Sequence, residues 1–462
     1  MNVLVLNGSP SGENSITLYT AKYLEKMFPA CMFTTLHVGQ RIRAIEKDFS
    51  EAKKLLESAE LILFCYPVYT FLVPAQLHRF VELMKACGVD FSQKYAAQIS
   101  TSKHFYDVTA HRFLADNCAD LGLKYLGGLS ADMDDLLEKK GRHEAKAFFS
   151  RVLWAIENGV YEPSQNPPVP DGWTPARLSG DAKGQPQRNG QVVIVADYDE
   201  TEQSPLSAMI ERFRAALPME TKLVNIRTFP FAGGCLGCFR CAADGTCVYR
   251  DGFDAFLREQ IQSADAIVYA YTIRDHSMGY RFKLYDDRQF CNGHRTVTMG
   301  RPVGYLVDGP LDWEPNLRML MEARAQVGGN HLAGIATDQT DPAGEIDALA
   351  ASLTYAIEHR YQQPQNFYGV GGLKIFRDLI WQMQGLMRED HRFYKAHGFY
   401  DFPQKKRGRM LLMYLVGGMM RSKKLQKKIG GQMTEGMILP YRKALEQAEK
   451  EKSCVLTKER NK

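Results

Sequence analysis

Short unbroken apolar runs alternate along this chain with longer stretches in which apolar residues recur at helical spacing. Val3 to Leu6 is the first such run and predicts a buried strand. A helix follows from about Ser15 to Met27. A second strand is expected at Cys31 to His37, a helix at Phe49 to Ser58, and a third strand at Leu61 to Cys65. Further strands are expected near Ala96 to Ser100 and Tyr125 to Leu129. Strands alternating with helices predict a parallel sheet covered on both faces, with ligands at the carboxyl ends of its strands.

The pattern then repeats. Pro163, Pro167, Pro168, Pro170, Pro175 and Pro186, interspersed with Gly and Asn, mark a linker at 159–190. Beyond it, Ser263-Ala-Asp-Ala-Ile-Val268 echoes Ser58-Ala-Glu-Leu-Ile-Leu63, and Gly334-Ile-Ala-Thr-Asp338 echoes Gly128-Leu-Ser-Ala-Asp132. The two pairs share nearly one offset, whereas the opening strands at Asn2 and Gln191 lie closer together. Extra residues therefore enter the second copy between its first and third strands. The expected fold class is α/β: two tandem doubly wound five-stranded parallel sheets with a helical C-terminal extension. The expected domains are 1–158, a linker at 159–190, a second domain at 191–362, and a basic helical extension at 363–462.

Candidate chemistry falls at three places. The loop Asn7-Gly-Ser-Pro-Ser-Gly-Glu-Asn-Ser-Ile-Thr17 joins a strand to a helix, and its N–H groups and hydroxyls meet the positive end of the helix dipole. It is neither a P-loop nor a dinucleotide fingerprint. It also reads as an ordinary capped turn. At the end of the third strand, Tyr66, Tyr69 and Phe71 stand where a flat aromatic ligand could stack. The inserted stretch of the second copy reads Gly233-Gly-Cys-Leu-Gly-Cys-Phe-Arg-Cys-Ala-Ala-Asp-Gly-Thr-Cys247, placing four cysteines as C-x2-C-x2-C-x5-C. Compact thiolate runs of this kind hold iron–sulfur clusters. Zinc also accepts four thiolates, though its sites more often pair two C-x2-C halves across a long spacer. An unmetallated or redox-active loop is the third reading.

Gly8-Ser9-Pro10 with Asn14-Ser15-x-Thr17, followed by Pro67-Val68-Tyr69 and Pro74-Ala75-Gln76-Leu77, resembles the flavodoxin-like NAD(P)H-dependent FMN reductases. The cysteine loop resembles that of the iron–sulfur flavoprotein branch. The likeness covers about residues 1–155 well, about 190–360 in outline, and nothing after 365. It implies that Ser9, Ser11, Asn14, Ser15 and Thr17 hold the FMN phosphate. Pro67, Val68, Tyr69, Thr70 and Phe71 would line the isoalloxazine, with Thr101, Ser102 and His104 closing its other edge. Cys235, Cys238, Cys241 and Cys247 would hold a [4Fe–4S] cluster. Ser11 stands where relatives often carry a basic residue, which leaves phosphate neutralisation to backbone dipoles.

In the second copy the corresponding loop carries Asp197, Asp199, Glu200 and Glu202, whose charge repels a phosphate. FMN is therefore expected in the first domain only. Arg274 and His276 read as ordinary solvated loop residues. Such reductases generally work as dimers, so a tandem pair could build the boundary within one chain, with the cysteine loop of one domain facing the FMN of the other.

The chain has 462 residues, a net charge of +5 and 45% hydrophobic residues, as expected of a globular protein with no special affinity for nucleic acid. No apolar run reaches the ~18 residues needed to span a bilayer. The chain opens on a strand and not a leader, and its clustered cysteines fit a reducing cytoplasm. Cys31, Cys65, Cys87, Cys118, Cys291 and Cys454 are scattered and read as small buried apolar residues. After Asn366 the aromatic and Met-rich sequence reads as a helical cap. The last ten or so residues read as disordered. Lys405, Lys406, Arg407, Arg409, Arg421, Lys423, Lys424, Lys427 and Lys428 flank the apolar run 410–420, which suits either a peripheral membrane contact or an acidic protein.

The expected function is an NAD(P)H-dependent FMN oxidoreductase passing electrons to an unknown acceptor, a small molecule or a redox protein. An electron-transfer protein without its own small-molecule substrate is the alternative. Either works as an intramolecular pseudo-dimer or as a homodimer. No acid–base residue is expected, because hydride transfer to a flavin requires none.

Overall fold

The computed structural model describes residues 1–180, 182, 186–420 and 438–448. Met1–His397 form one compact unit and Gly398–Lys462 a second. Cys454, the basic residues from Arg421 to Lys428 and the chain's last ten residues lie outside the described residues.

The first unit contains two sheets. Strands β1 (Asn2–Asn7), β2 (Met32–Leu36), β3 (Leu61–Pro67), β4 (Tyr95–Ser102) and β5 (Lys124–Asp132) pair in the order β2-β1-β3-β4-β5, all parallel. Strands β6 (Gln191–Asp197), β7 (Glu220–Asn225), β8 (Ala266–Thr272), β9 (Pro302–Asp308) and β10 (His331–Thr337) pair in the order β10-β9-β8-β6-β7, also all parallel. Counted from its own first strand, the second sheet repeats the order of the first. This is the flavodoxin-like order, whose switch point lies beside the first strand.

Around the first sheet run α1 (Ile16–Met27), α2 (Val38–Lys47), α3 (Ser50–Ser58), α4 (Ala75–Ala86), α5 (Asp107–Asp120) and α6 (Lys139–Glu157). The second carries α7 (Pro205–Ala216), the short α8 (Arg240–Asp244) and α9 (Phe253–Phe256), then α10 (Gly279–Arg288), α11 (Pro315–Gly328) and α12 (Pro342–Glu358). After it come α13 (Phe367–Gln382), α14 (Arg388–Ala396) and α15 (Arg407–Met420). One helix is expected between the second and third strands, and two are found. The break falls at Asp48, which is extended and accepts the Ser50 N–H at 3.0 Å, stopping α2 and starting α3.

The side-chain period of two divides each strand between two cores. Val3 and Val5 face outward onto Leu18 of α1 and Phe149 of α6. Leu4 and Leu6 face inward, into a core shared with Val193, Val195, Ile267 and Val303 of the second sheet. Val192, Ile194 and Ala196 face the outer layer of the second domain. The inner core thus runs unbroken from sheet to sheet. Helix α4 packs on its counterpart α10, and α5 on its counterpart α11. The two sheets thus meet through α4 and α5 on one side and α10 and α11 on the other.

Polar contacts fix the register of this internal interface. Asn117 Nδ2 donates to the Asp275 carbonyl at 3.1 Å, and Asn316 Nδ2 to the Thr109 carbonyl at 3.1 Å. His276 does not lie free in its loop as expected. It contacts Asp120 of the first domain at 3.0 Å and Glu314 at 2.8 Å. Burial opposes its charge, but the hydrogen bonds to the two carboxylates outweigh that and hold its pKa at about 10.

Candidate functional site

The phosphate-type loop is shaped before any ligand contact. Asn7 Nδ2 donates to the Gly12 carbonyl at 2.8 Å and Asn7 Oδ1 accepts the Ser9 N–H at 3.2 Å, folding the loop back on the end of β1. Ser15 caps α1 by accepting the Leu18 N–H at 3.4 Å. The first N–H groups of a helix have no partner within it, and a helix start is where an anion can be received. Gly39 of α2 presses on this loop from behind. A Cβ there would lie 2.3 Å from the Gly8 carbonyl oxygen, so only glycine allows the approach.

Around this loop opens a cavity of about 290 Å³. Ser9, Ser11, Asn14, Ser15, Thr17, Pro67, Val68, Tyr69, Thr70, Thr101 and Ser102 all line it. Two of the expected contacts are elsewhere. Phe71 is buried and lines a second cavity of about 160 Å³, walled mostly by the other domain, its ring against Tyr106 at 4.4 Å and under the Arg324 guanidinium at 5.2 Å. His104 turns outward, because its N–H is tied to Ser102 Oγ at 2.8 Å and its ring to Asp107 and Ser130 at 3.0 and 3.1 Å.

The opposite wall of the first cavity comes from the second domain. Cys235, Cys238, Cys241 and Cys247 all line it. The loop that carries them crosses directly over the aromatic strand end: a Cβ on Gly237 would lie 2.0 Å from the Tyr69 hydroxyl, and Gly237 adopts a φ of +61°. Gln76 Nε2 donates to the Cys235 carbonyl at 3.3 Å. Two N–H groups point at sulfurs, that of Gly237 at Cys235 (3.5 Å) and that of Gly293 at Cys241. Burial nevertheless pushes the Cys241 thiol up to about 11 and Cys235 higher still.

All four thiols sit on one loop and line one cavity. A four-thiol donor set of this kind suits zinc or an iron–sulfur cluster. The donor set, its N–H partners and the cavity beside it all suit such a group.

Several residues of this site have no signal in the sequence. Arg288, almost fully buried, donates to the Gly233 carbonyl at 2.9 Å and to both oxygens of Asp251 at 2.8 and 2.7 Å, clamping the root of the cysteine loop. Burial works against the Asp251 carboxylate, but Arg288 outweighs it and holds its pKa at about 2. His294 lines the cavity and is fixed by Asp390 of α14 at 2.9 Å. Asp390 is wholly buried and also receives Arg295 at 3.1 Å. Phe376 of α13 closes the cavity from the same side. Helices α13 and α14 are therefore parts of the site. Cys291, one of the scattered cysteines, lines it too.

Residues 1–119 match the sequence family of NADPH-dependent FMN reductase. The chain carries an FMN reductase domain, and it is a flavin oxidoreductase. The cavity described above sits at the carboxyl edge of that domain's sheet. An iron–sulfur flavoprotein of Archaeoglobus fulgidus is 25% identical over 174 residues, covering 36% of this chain and 79% of the relative. Among solved structures, an FMN-dependent NADH-azoreductase from Bacillus anthracis aligns over 33% of this chain and 99% of its own at 12% identity, with a TM-score of 0.27. An NAD(P)H:quinone oxidoreductase from Methanothermobacter marburgensis aligns over 35% of this chain and 98% of its own at 12% identity, with a TM-score of 0.28.

In the second domain, the carboxylates expected to repel a phosphate are engaged. Arg227 bonds Asp197 at 2.8 Å and Asp199 at 3.2 Å, and Asn225 bonds Glu200 at 2.9 Å. Their geometry resembles a closed ion-pair network more than an open anion cradle.

Proposed function

We propose that this protein is an NAD(P)H-dependent FMN oxidoreductase with its dimer interface built into one chain, its FMN in the first domain and a [4Fe–4S] cluster on the cysteine loop of the second. The observation that carries this reading is the shared cavity, lined by hydroxyls of the first loop and helix α1 and by four cysteines of the loop that crosses Tyr69. Bound there, FMN supplies hydride chemistry and the cluster supplies one-electron storage.

The chain's own part is binding, orientation and exclusion of water. Ser9, Ser11, Asn14, Ser15 and Thr17 would receive the phosphate, with the α1 dipole in place of a basic side chain. Pro67, Val68, Tyr69 and Thr70 would hold the ring, and Thr101 and Ser102 would meet its polar edge. Cys235, Cys238, Cys241 and Cys247 would hold the cluster. Phe290, His294 and Phe376 wall the cavity on the side of the second domain. The electron acceptor is a small molecule or redox protein that reaches this cavity.

The test is the visible spectrum of anaerobically purified protein, with FMN, iron and zinc quantified per chain. One FMN and about four irons, with a broad absorbance that bleaches on reduction, is the expected result. FMN with zinc or without metal would overturn the cluster and leave the flavin reductase. A colourless protein would overturn both.

A further inference from the structure

The 33 residues from Phe402 to Thr434 contain nine Lys and Arg and no Asp or Glu. In their midst, 410–420 is an unbroken run of apolar residues and glycine. The described part of this segment includes α15, and six consecutive side chains of it are not packed away. Met410, Leu411, Leu412, Met413, Tyr414 and Leu415 are 50, 65, 54, 53, 77 and 61% exposed. Six consecutive residues on an α-helix point in every direction around its axis. A groove on a protein takes one apolar stripe of a helix, as in helix-in-groove recognition. It leaves the far side bare. A lipid phase accepts all sides at once.

Length decides how deep such a helix goes. The 14 residues of α15 extend about 21 Å, against a hydrocarbon core of about 30 Å. No helix among the described residues is long and apolar enough to cross a membrane. The charges decide which membrane. Lys405, Lys406, Arg407 and Arg409 precede the apolar run, and five more cations follow between 421 and 428. Clustered cations beside an apolar insertion are drawn to anionic headgroups, while their aliphatic stems follow the apolar residues inward. Lys406 and Arg409 already line one cleft with Met410, Met413 and Tyr414, so cations and apolar side chains share a surface. Asp401 is paired to Lys406 at 3.1 Å across exposed surface, an interaction that costs little to give up.

We propose that 405–415 docks the protein onto an anionic lipid surface, with Met410–Leu415 entering the acyl region without crossing it and Lys405, Lys406, Arg407 and Arg409 at the headgroups. This does not depend on the identity of the cofactors.

The experiment is flotation of the full-length holoprotein with phosphatidylcholine vesicles, pure or mixed roughly two to one with phosphatidylglycerol. The protein is expected to float with the anionic vesicles and stay behind with the pure ones. Two variants separate the contributions: Leu411→Asp with Leu415→Asp, and Lys405, Lys406, Arg407 and Arg409 each →Gln. Each is expected to lower flotation at least tenfold, with NAD(P)H oxidation unchanged because the residues are exposed and outside the flavin cavity. No flotation, equal flotation with both vesicles, or flotation indifferent to both variants would overturn the proposal. So would a soluble dimer that Leu411→Asp with Leu415→Asp converts to monomer, since the face would then serve a second copy of this chain.

Discussion

Thr70 Oγ1 donates a 2.5 Å hydrogen bond to Asp287 Oδ1, a residue 217 positions away in the other domain. The same carboxylate accepts the Ala75 N–H at 2.8 Å and is paired with Lys283, which also donates to the Tyr69 carbonyl at 2.9 Å. Thr70 and Phe71 carry φ values of +39° and +71°, conformations that need outside support. The loop expected to hold the flavin ring is thus braced by a buried ion pair of the second domain. Asp287→Ala leaves Lys283 buried and uncompensated, and should cost about 3–5 kcal/mol of stability. Asp287→Leu with Lys283→Met removes both charges and should restore most of that. Both variants lose the brace on Thr70 and should bind FMN at least tenfold more weakly, measured by flavin fluorescence. Full FMN affinity in the stable double variant would show that the brace is dispensable.

Gly237→Ala places a methyl group 2.0 Å from the Tyr69 hydroxyl in a backbone conformation that favours glycine. The cysteine loop must then lift from the strand end. Iron content should fall by more than half while FMN is retained. Unchanged iron and FMN per chain would mean that the loop does not need this seat.

Single Ser substitutions at Cys235, Cys238 or Cys241 should abolish the broad visible absorbance and leave the flavin bands. Cys291→Ser is the contrasting variant, because Cys291 lies in the same cavity but outside the C-x2-C-x2-C-x5-C spacing. It should keep its iron. Loss of iron in Cys291→Ser with retention in Cys247→Ser would exchange the roles of those two residues.

His276 makes the internal interface pH-dependent. Its folded pKa, about 10, lies above the ~6.5 of an unfolded histidine, so its contribution is complete below ~6.5 and is lost as pH rises toward 10. At the acid end Asp120 runs the other way. Burial works against its charge, but His276 and Lys85 hold it down to about 2, and its contribution is lost as pH falls below ~3.9. His276→Gln should lower stability by on the order of 2 kcal/mol at pH 6 and by little at pH 10. Melting temperatures of the two proteins across that range check this, and parallel curves would refute it.

The sequence was most readable where one element carries its own signal. Apolar runs bounded by turn residues located the strands. The near-constant offset between Ser58 and Ser263, and between Gly128 and Gly334, disclosed the duplication. The Gly8–Thr17 loop and the cysteine spacing were legible because glycine, hydroxyl and thiol chemistry acts locally. Phe71 was misplaced because adjacent residues at a strand end diverge, and the positive φ at Thr70 and Phe71 sends that ring into the other domain's cavity. His276 was taken for a loop residue because Asp120 and Glu314, which enclose it, are remote in sequence.

By itself the sequence determined two parallel sheets, a helix start capped by Ser15, and four thiols within one loop. These follow from side-chain periodicity, capping and spacing, all of which act over a few residues. That the cysteine loop of one domain faces the site of the other was an expectation from the split of motifs between the copies, and the tertiary structure lays that loop across the cavity. Only the tertiary structure decided that Arg288, Asp287 and Asp390 hold the parts in place, and that the helices bearing Phe376 and Asp390 complete the wall. Those relations depend on the packing of α4 against α10 and α5 against α11. That packing is the sum of many small apolar contacts spread over both domains, and no short stretch of the chain encodes it.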